Sequence, residues 1–208
     1  MNYKETGFRV LYKHFAAFML TDRLREIIEG FPNAEKANCI LTYGYIDHTA
    51  GFTLEILATG KRNKNDFRFY DGSDEFRSII RVDVVENDEF FQFENSEGKF
   101  RERYAKKVEI SDSYKESDAI ESTRSMQYLD SFRHPHYVDD VLVYLLKDGC
   151  KPEGCWVRLE DVKGRLFIGE LLNEPDQDLG CHIGERIGFF FYRQDNSEPV
   201  CICNLNPQ

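Results

Sequence analysis

Cys39-Ile-Leu-Thr-Tyr-Gly-Tyr-Ile46 and Phe52-Thr-Leu-Glu-Ile-Leu57 flank the connection Asp47-His-Thr-Ala-Gly51. Both arms are rich in β-branched and aromatic residues, and Asp and Gly bound a short link, which is the pattern of a β-hairpin. On either side the periods fit a sheet with one helix. Upstream, Phe8, Val10 and Tyr12 alternate with polar residues, which predicts a strand over 8–14. Leu20, Leu24, Ile27 and Ile28 then recur at helical spacing, and Gly30 and Pro32 stop that helix near Glu29. Downstream, Phe67–Tyr70 is a short strand ended by Asp71-Gly72. Ile80, Val82 and Val84 alternate with Arg81 and Asp83 as a half-buried strand. Phe90–Phe93 follows a turn at 86–89, and a second turn at 95–98 leads into 100–110. An antiparallel sheet carrying one helix is an α+β arrangement.

Residues 113–125 hold few apolar side chains and read as a linker or a surface helix capped by Ser117 or Asp118. This divides the chain into an α+β domain at 1–112 and a second domain at 126–208. In the second, Val141–Leu146 is an apolar run ended by Lys147-Asp-Gly149. Cys155–Leu159 and Leu166–Leu172 flank a turn at 162–164, and Ile187–Tyr192 and Val200–Cys203 flank a loop at 194–198. Five short strands with glycine-marked turns suit a small, partly open SH3-like or OB-like β-barrel. Trp156 reads as core.

Within 155–192, Trp156-Val157, Gly164, Gly169-Glu-Leu-Leu-Asn173-Glu-Pro175, Gly180, Gly184-Glu185 and Ile187-Gly-Phe189 resemble the YegJ-like family of bacterial proteins of unknown function. Glu185 stands where that family's pattern has Asp. The resemblance implies a fold and a bacterial origin and carries no activity with it.

Seventeen Phe and eleven Tyr among 208 residues supply a core although only 41% of residues are hydrophobic. The net charge of −10 argues against a nucleic-acid or anionic-membrane partner, which it would repel at long range. No run approaches the ~20 apolar residues of a membrane helix, and Phe15–Leu20 is too short for a secretory core, so the expectation is a cytoplasmic protein. Gly-x-Gly-x-x-Gly, P-loop, Gly-x-Ser-x-Gly and His-Glu-x-x-His motifs are absent from the sequence.

Three groups of residues could carry chemistry. Cys150, Cys155, Cys181, Cys201 and Cys203, with His182, offer enough ligands for a tetrahedral zinc, although none of the spacings is Cys-x-x-Cys. Buried core thiols are the plainer reading, and no cofactor is then required. His134, His136, Asp139 and Asp140 fall within seven residues and could ligate a metal or form an acid–base pair; the alternative is a structural loop. Two tracts are acidic and free of Lys and Arg. One runs from Asp83 through Glu86, Asp88, Glu89 and Glu94 to Glu97, and the other from Glu170 through Glu174, Asp176 and Asp178 to Glu185. They are solvated faces or a docking surface for a basic protein. The basic run Lys61-Arg-Asn-Lys64 with Arg68 reads as a surface loop. The expected function is therefore non-catalytic protein binding through acidic surfaces, with an inhibitor- or immunity-like role. The alternative is a metal-binding or hydrolytic protein using the Cys/His group or the 134–140 loop.

Overall fold

In a computed structural model the described residues are 1–64, 66–70, 72, 74–93, 96–193 and 198–206. The turns expected at Asp71 and Asn95, most of the loop at 194–198, and Glu94 lie outside them. The fold is α+β, and the chain divides into two compact units, Met1–Lys115 and Glu116–Gln208.

The first unit opens with helix α1 (Tyr3–Thr6), capped by Asn2, and a 3-10 turn at Phe8–Val10. The strand expected over 8–14 is therefore corrected. Gly7 turns the chain at φ 72°, Lys13 at φ 62°, and Tyr3, Phe8 and Leu11 point into the core from consecutive turns. The first strand is β1 (Phe15–Met19), and almost all of it is buried. Its apolar run has no alternation because both faces are covered. Phe15 and Ala17 face one core, and Phe18 lies opposite Phe90 on the other face with ring centroids 5.8 Å apart. Helix α2 (Asp22–Ile27) starts where Thr21 Oγ1 accepts the Leu24 N–H, and Gly30 follows it at φ 79°. Leu20 lies outside the helix, in the link from β1.

Strands β2 (Cys39–Asp47) and β3 (Gly51–Asn63) form the hairpin that residues 39–57 predict. The Asp47 carboxylate accepts the backbone N–H groups of Thr49 and Ala50 to close the turn. Strand β3 continues through the basic run into β4 (Asp66–Phe69), so Lys61–Asn63 belong to a second hairpin and not to a loop. Arg62 stacks 3.9 Å above the Phe91 ring centroid. Strand β5 (Ile79–Arg81) pairs β3, but Val82–Val84 form a 3-10 turn and leave the sheet. With β6 (Phe90–Gln92) the order is β4-β3-β2-β1-β6, with β5 also on β3, and these pairings are antiparallel. Two further helices, α3 (Glu97–Arg103) and α4 (Ala105–Asp112), lay Phe100, Tyr104 and Val108 on one face of this sheet.

The second unit begins with α5 (Asp118–Ser125), capped by Ser117, whose Oγ accepts the Ile120 N–H. Of the two alternatives for 113–125, a helix capped by Ser117 is the one observed over 118–125, although one side of it is buried rather than on the surface. Ile120, Thr123 and Arg124 are buried, and Ile120 joins the core of the barrel. A 3-10 segment at Gln127–Phe132 leads to five strands: β7 (Asp140–Leu146), β8 (Glu153–Lys163), β9 (Leu166–Leu171), β10 (Arg186–Tyr192) and β11 (Val200–Asn204). They close in the order β10-β11-β7-β8-β9, because β9 pairs β10 along five residues and β11 pairs β7 in parallel. Val141, Val143, Val157, Leu159, Phe167 and Phe189 fill the interior. Trp156 is not among them. Cys155 and Val157 take the inward positions, so Trp156 stands half-buried on the outer wall.

Gly169 faces inward where β8 carries a bulge at Leu159/Asp161. A Cβ there would collide with the Arg158 carbonyl oxygen and lie 2.7 Å from Val157 Cγ1. Gly169→Ala is therefore expected to destabilise the second unit by about 1–3 kcal/mol. Denaturant unfolding followed through Trp156, the single tryptophan, measures this.

Candidate functional site

The segment 133–140 is built around buried arginines. Arg124 on α5 places Nε 3.0 Å from Asp139 Oδ1 and Nη2 2.6 Å from Asp139 Oδ2, and its Nη1 donates to Glu121 Oε1 at 2.6 Å. The Arg124 side chain is 2% exposed and that of Asp139 0%. Arg133, also buried, donates to the Val138 and Thr123 carbonyls at 2.6 Å each and so ties the segment to α5. Asp140 accepts from Arg158 Nε at 2.8 Å and Nη2 at 3.2 Å. Neither carboxylate is available as a general base, since each already holds a guanidinium in two-point contact.

His134 is engaged as well. Its Nδ1 accepts the backbone N–H groups of His136 at 3.1 Å and Tyr137 at 3.2 Å, so the neutral ring carries its proton on Nε2. The ring meets Trp156 edge-on at 5.0 Å and Tyr137 at 5.1 Å. Burial lowers the His134 pKa below the ordinary 6.5, and the His136 ring lowers it further against the pull of Asp140. Protonation would also cost the two backbone hydrogen bonds. Of His134, His136, Asp139 and Asp140, three are thus engaged structurally: His134 with the backbone, Asp139 with helix α5 and Asp140 with strand β8.

The thiols lie inside the barrel. Cys155, Cys181, Cys201 and Cys203 are buried among its aliphatic side chains, Cys150 packs at the margin, and all are free thiols. Burial pushes Cys201 up to about 12 and Cys203 to about 11. A thiolate, the form that metals and electrophiles require, is disfavoured there. Among the described residues no three His, Cys, Asp or Glu side chains converge as a metal-binding group. His182 stands apart, exposed, with Nδ1 2.7 Å from Glu174 Oε1.

The acidic residues divide by what their oxygens do. Glu174 accepts the Ile183 N–H and the His182 ring N–H, while Glu153 accepts the backbone N–H groups of Asp176 and Gln177. Asn173 Oδ1 accepts the Trp156 N–H at 2.8 Å, and Gly180 and Gly184 supply left-handed turns at φ 77° and 85°. Asn173, Gly180 and Gly184 are thus loop-building residues, whereas Gly169 and Gly188 lie within strands β9 and β10. Glu97 contacts His14 Nδ1 at 2.5 Å, and Glu86 accepts from Asn87 Nδ2. By contrast, the Asp83, Asp88, Glu89, Asp176 and Asp178 side chains accept no hydrogen bond and form no ion pair among the described residues.

A feature outside all three groups is the outer wall of the barrel. Phe190 and Tyr192 are each 51% exposed, and Tyr144 and Tyr128 also reach solvent. The alternation in Arg186–Tyr192 does carry the signal, since its outward positions end in aromatic residues where polar ones are ordinary. No protein-family model, curated protein or solved structure matches the chain.

Two predictions follow from these contacts. Arg124→Met, which strands the Asp139 charge in the interior, is expected to cost about 3–5 kcal/mol. The double variant Arg124→Met/Asp139→Leu should recover most of this in denaturant titrations. The two histidines should also titrate on opposite sides of 6.5 in an NMR pH series. The Glu174 carboxylate beside it raises His182, and that contribution to stability is complete below 6.5 and lost as pH rises through the raised value. His134, lowered, contributes fully above 6.5 and loses it as pH falls through its own value. Glu174→Gln should return only His182 to the ordinary range.

Proposed function

We propose that the protein is a non-catalytic protein-binding module of the cytoplasm, whose acidic surface receives a basic partner in an inhibitor- or immunity-like role. The carrying observation is the segment Asp83–Glu89, where the side chains of Asp83, Asp88 and Glu89 form no ion pair among the described residues and stand on a fixed backbone. Val85 N–H donates to the Val82 carbonyl, Asp88 N–H to the Val85 carbonyl and Lys4 N–H to the Glu86 carbonyl, so the charges are held in place before any partner arrives. Like charges left un-neutralised in this way cost the fold a little, and they raise association rate and selectivity toward an oppositely charged surface. Asp176 and Asp178, on a loop braced by Glu153 and Asn173, offer a second such patch. The engagement of His134, Asp139 and Asp140 with backbone and arginines supports the non-catalytic side of this reading. Six unbridged thiols agree with a reducing compartment. The resemblance in 155–192 supports a bacterial source, and no cofactor enters the reading.

The test is co-purification from cell extract at low and moderate salt with the wild type and with Asp83→Lys/Asp88→Lys/Glu89→Lys. A basic partner should be retained at low salt, released as salt rises past about 0.2 M, and bound about tenfold less by the triple variant at an unchanged unfolding midpoint. A partner that ignores both salt and charge reversal would overturn the acidic-surface reading.

A further inference from the structure

The second unit carries a groove of about 530 Å³ where the tip of the β8–β9 hairpin, the end of β10 and the 3-10 segment 127–132 meet. Tyr128, Phe190 and Tyr192 line it with rings that are 47–51% exposed, and the Tyr128 ring lies 4.7 Å from Phe191, which closes the floor. Arg165 and Arg193 stand at its rim. In a chain of net charge −10, neither arginine has an ion-pair partner among the described residues.

The groove opens onto a longer apolar row. On the outer wall, Leu166 of β9 lies across from Phe190 of β10, Phe190 from Ile202 of β11, and Ile202 from Tyr144 of β7. Four neighbouring strands thus present apolar side chains in one line of roughly 14 Å, given the ~4.8 Å spacing between strands. Beyond it Gly154, paired with Tyr144, leaves the wall flat. Closed barrels present polar residues outward when that wall faces only water, and a contiguous aromatic and aliphatic line marks a contact surface.

We propose that this groove and row bind an acidic segment of a partner protein, its apolar side chains seated along Leu166, Phe190, Ile202 and Tyr144 and its carboxylates held by Arg165 and Arg193. The proposal shares the protein-binding reading above but uses a different surface and the opposite charge. The guanidinium fork matches a carboxylate in two-point contact, and exposed rings beside it take leucine or aromatic anchors. Single-stranded nucleic acid, which also suits rings and arginines, needs cations that track a phosphate chain over several nucleotides. Two arginines at one end of the row do not supply that track, and the net charge repels it.

The probe is a labelled peptide of about ten residues alternating Glu with Leu and Trp, added to the full-length chain. The comparisons are the same peptide with Lys in place of Glu and a thymidine oligonucleotide of similar length. The acidic peptide should bind with backbone NMR shifts confined to residues near 128, 165–166, 190–193 and 202. Its affinity should fall about threefold in Arg165→Gln or Arg193→Gln, about tenfold in the double variant and at least tenfold in Phe190→Ser. The arginines are solvent-exposed, so an unchanged unfolding midpoint separates loss of binding from loss of fold. The proposal is overturned if the acidic peptide does not bind, if the double glutamine variant binds it equally, or if the oligonucleotide binds more tightly. A silent acidic peptide with a Lys peptide that responds to Asp83, Asp88 and Glu89 refutes the groove alone and supports the acidic-surface reading. The converse result supports the groove and refutes that reading.

Discussion

Arg124 and Asp139 leave water together, and the second unit is arranged around that event. A guanidinium and a carboxylate withdrawn into the interior each lose several kcal/mol of hydration, which their attraction offsets only with near-ideal geometry and further hydrogen bonds. Both are present here. Asp139 accepts at both oxygens, and the remaining Arg124 nitrogen reaches Glu121. The pair fixes α5 against the barrel at the residue immediately before β7. Arg133 then bridges α5 and the 138 carbonyl, and Asp140 meets Arg158 directly across the β7–β8 ladder. A one-residue slip of that ladder would turn Asp140 inward and break both ion pairs, so the register of the barrel is held by charge as well as by its apolar face.

The same constraint shapes the outer wall of the barrel. Locking β7 and β8 in register sends Cys155 and Val157 inward and leaves Trp156 outside, where the His134 ring covers its edge. The thiols fill volume in the interior, and their raised pKa values follow from that apolar setting. The carboxylates fall into two populations. Glu153 and Glu174 order a long loop by accepting its backbone N–H groups, while the Asp83, Asp88, Glu89, Asp176 and Asp178 side chains form no ion pair among the described residues. Only the second population has charge left over for a partner.

Much of this was legible along the chain. The hairpin at 39–57, the five barrel strands and the helix after Thr21 show themselves through local period and turn residues, because half-buried elements must alternate and turns must break. Phe15–Met19 hid its identity because a strand buried on both faces does not alternate. The helices at 97–112 were masked by their charge, although Phe100, Tyr104 and Val108 recur every four residues. Of the candidate sites, the plainer alternatives, core thiols and a structural loop, were visible as possibilities. The partners of His134, Asp139 and Asp140 were not, since Arg124 and Arg158 lie 15 and 18 residues away from the aspartates they hold.

Composition, period and turn chemistry belong to neighbouring residues, so the chain alone carried the fold class, the excess of acid and the membership of most strands. Which carboxylates are neutralised, which aromatic residues face outward and whether two histidines form a site depend on residues far apart in sequence. Those outcomes rest on desolvation and strand register, which exist only once the barrel has closed.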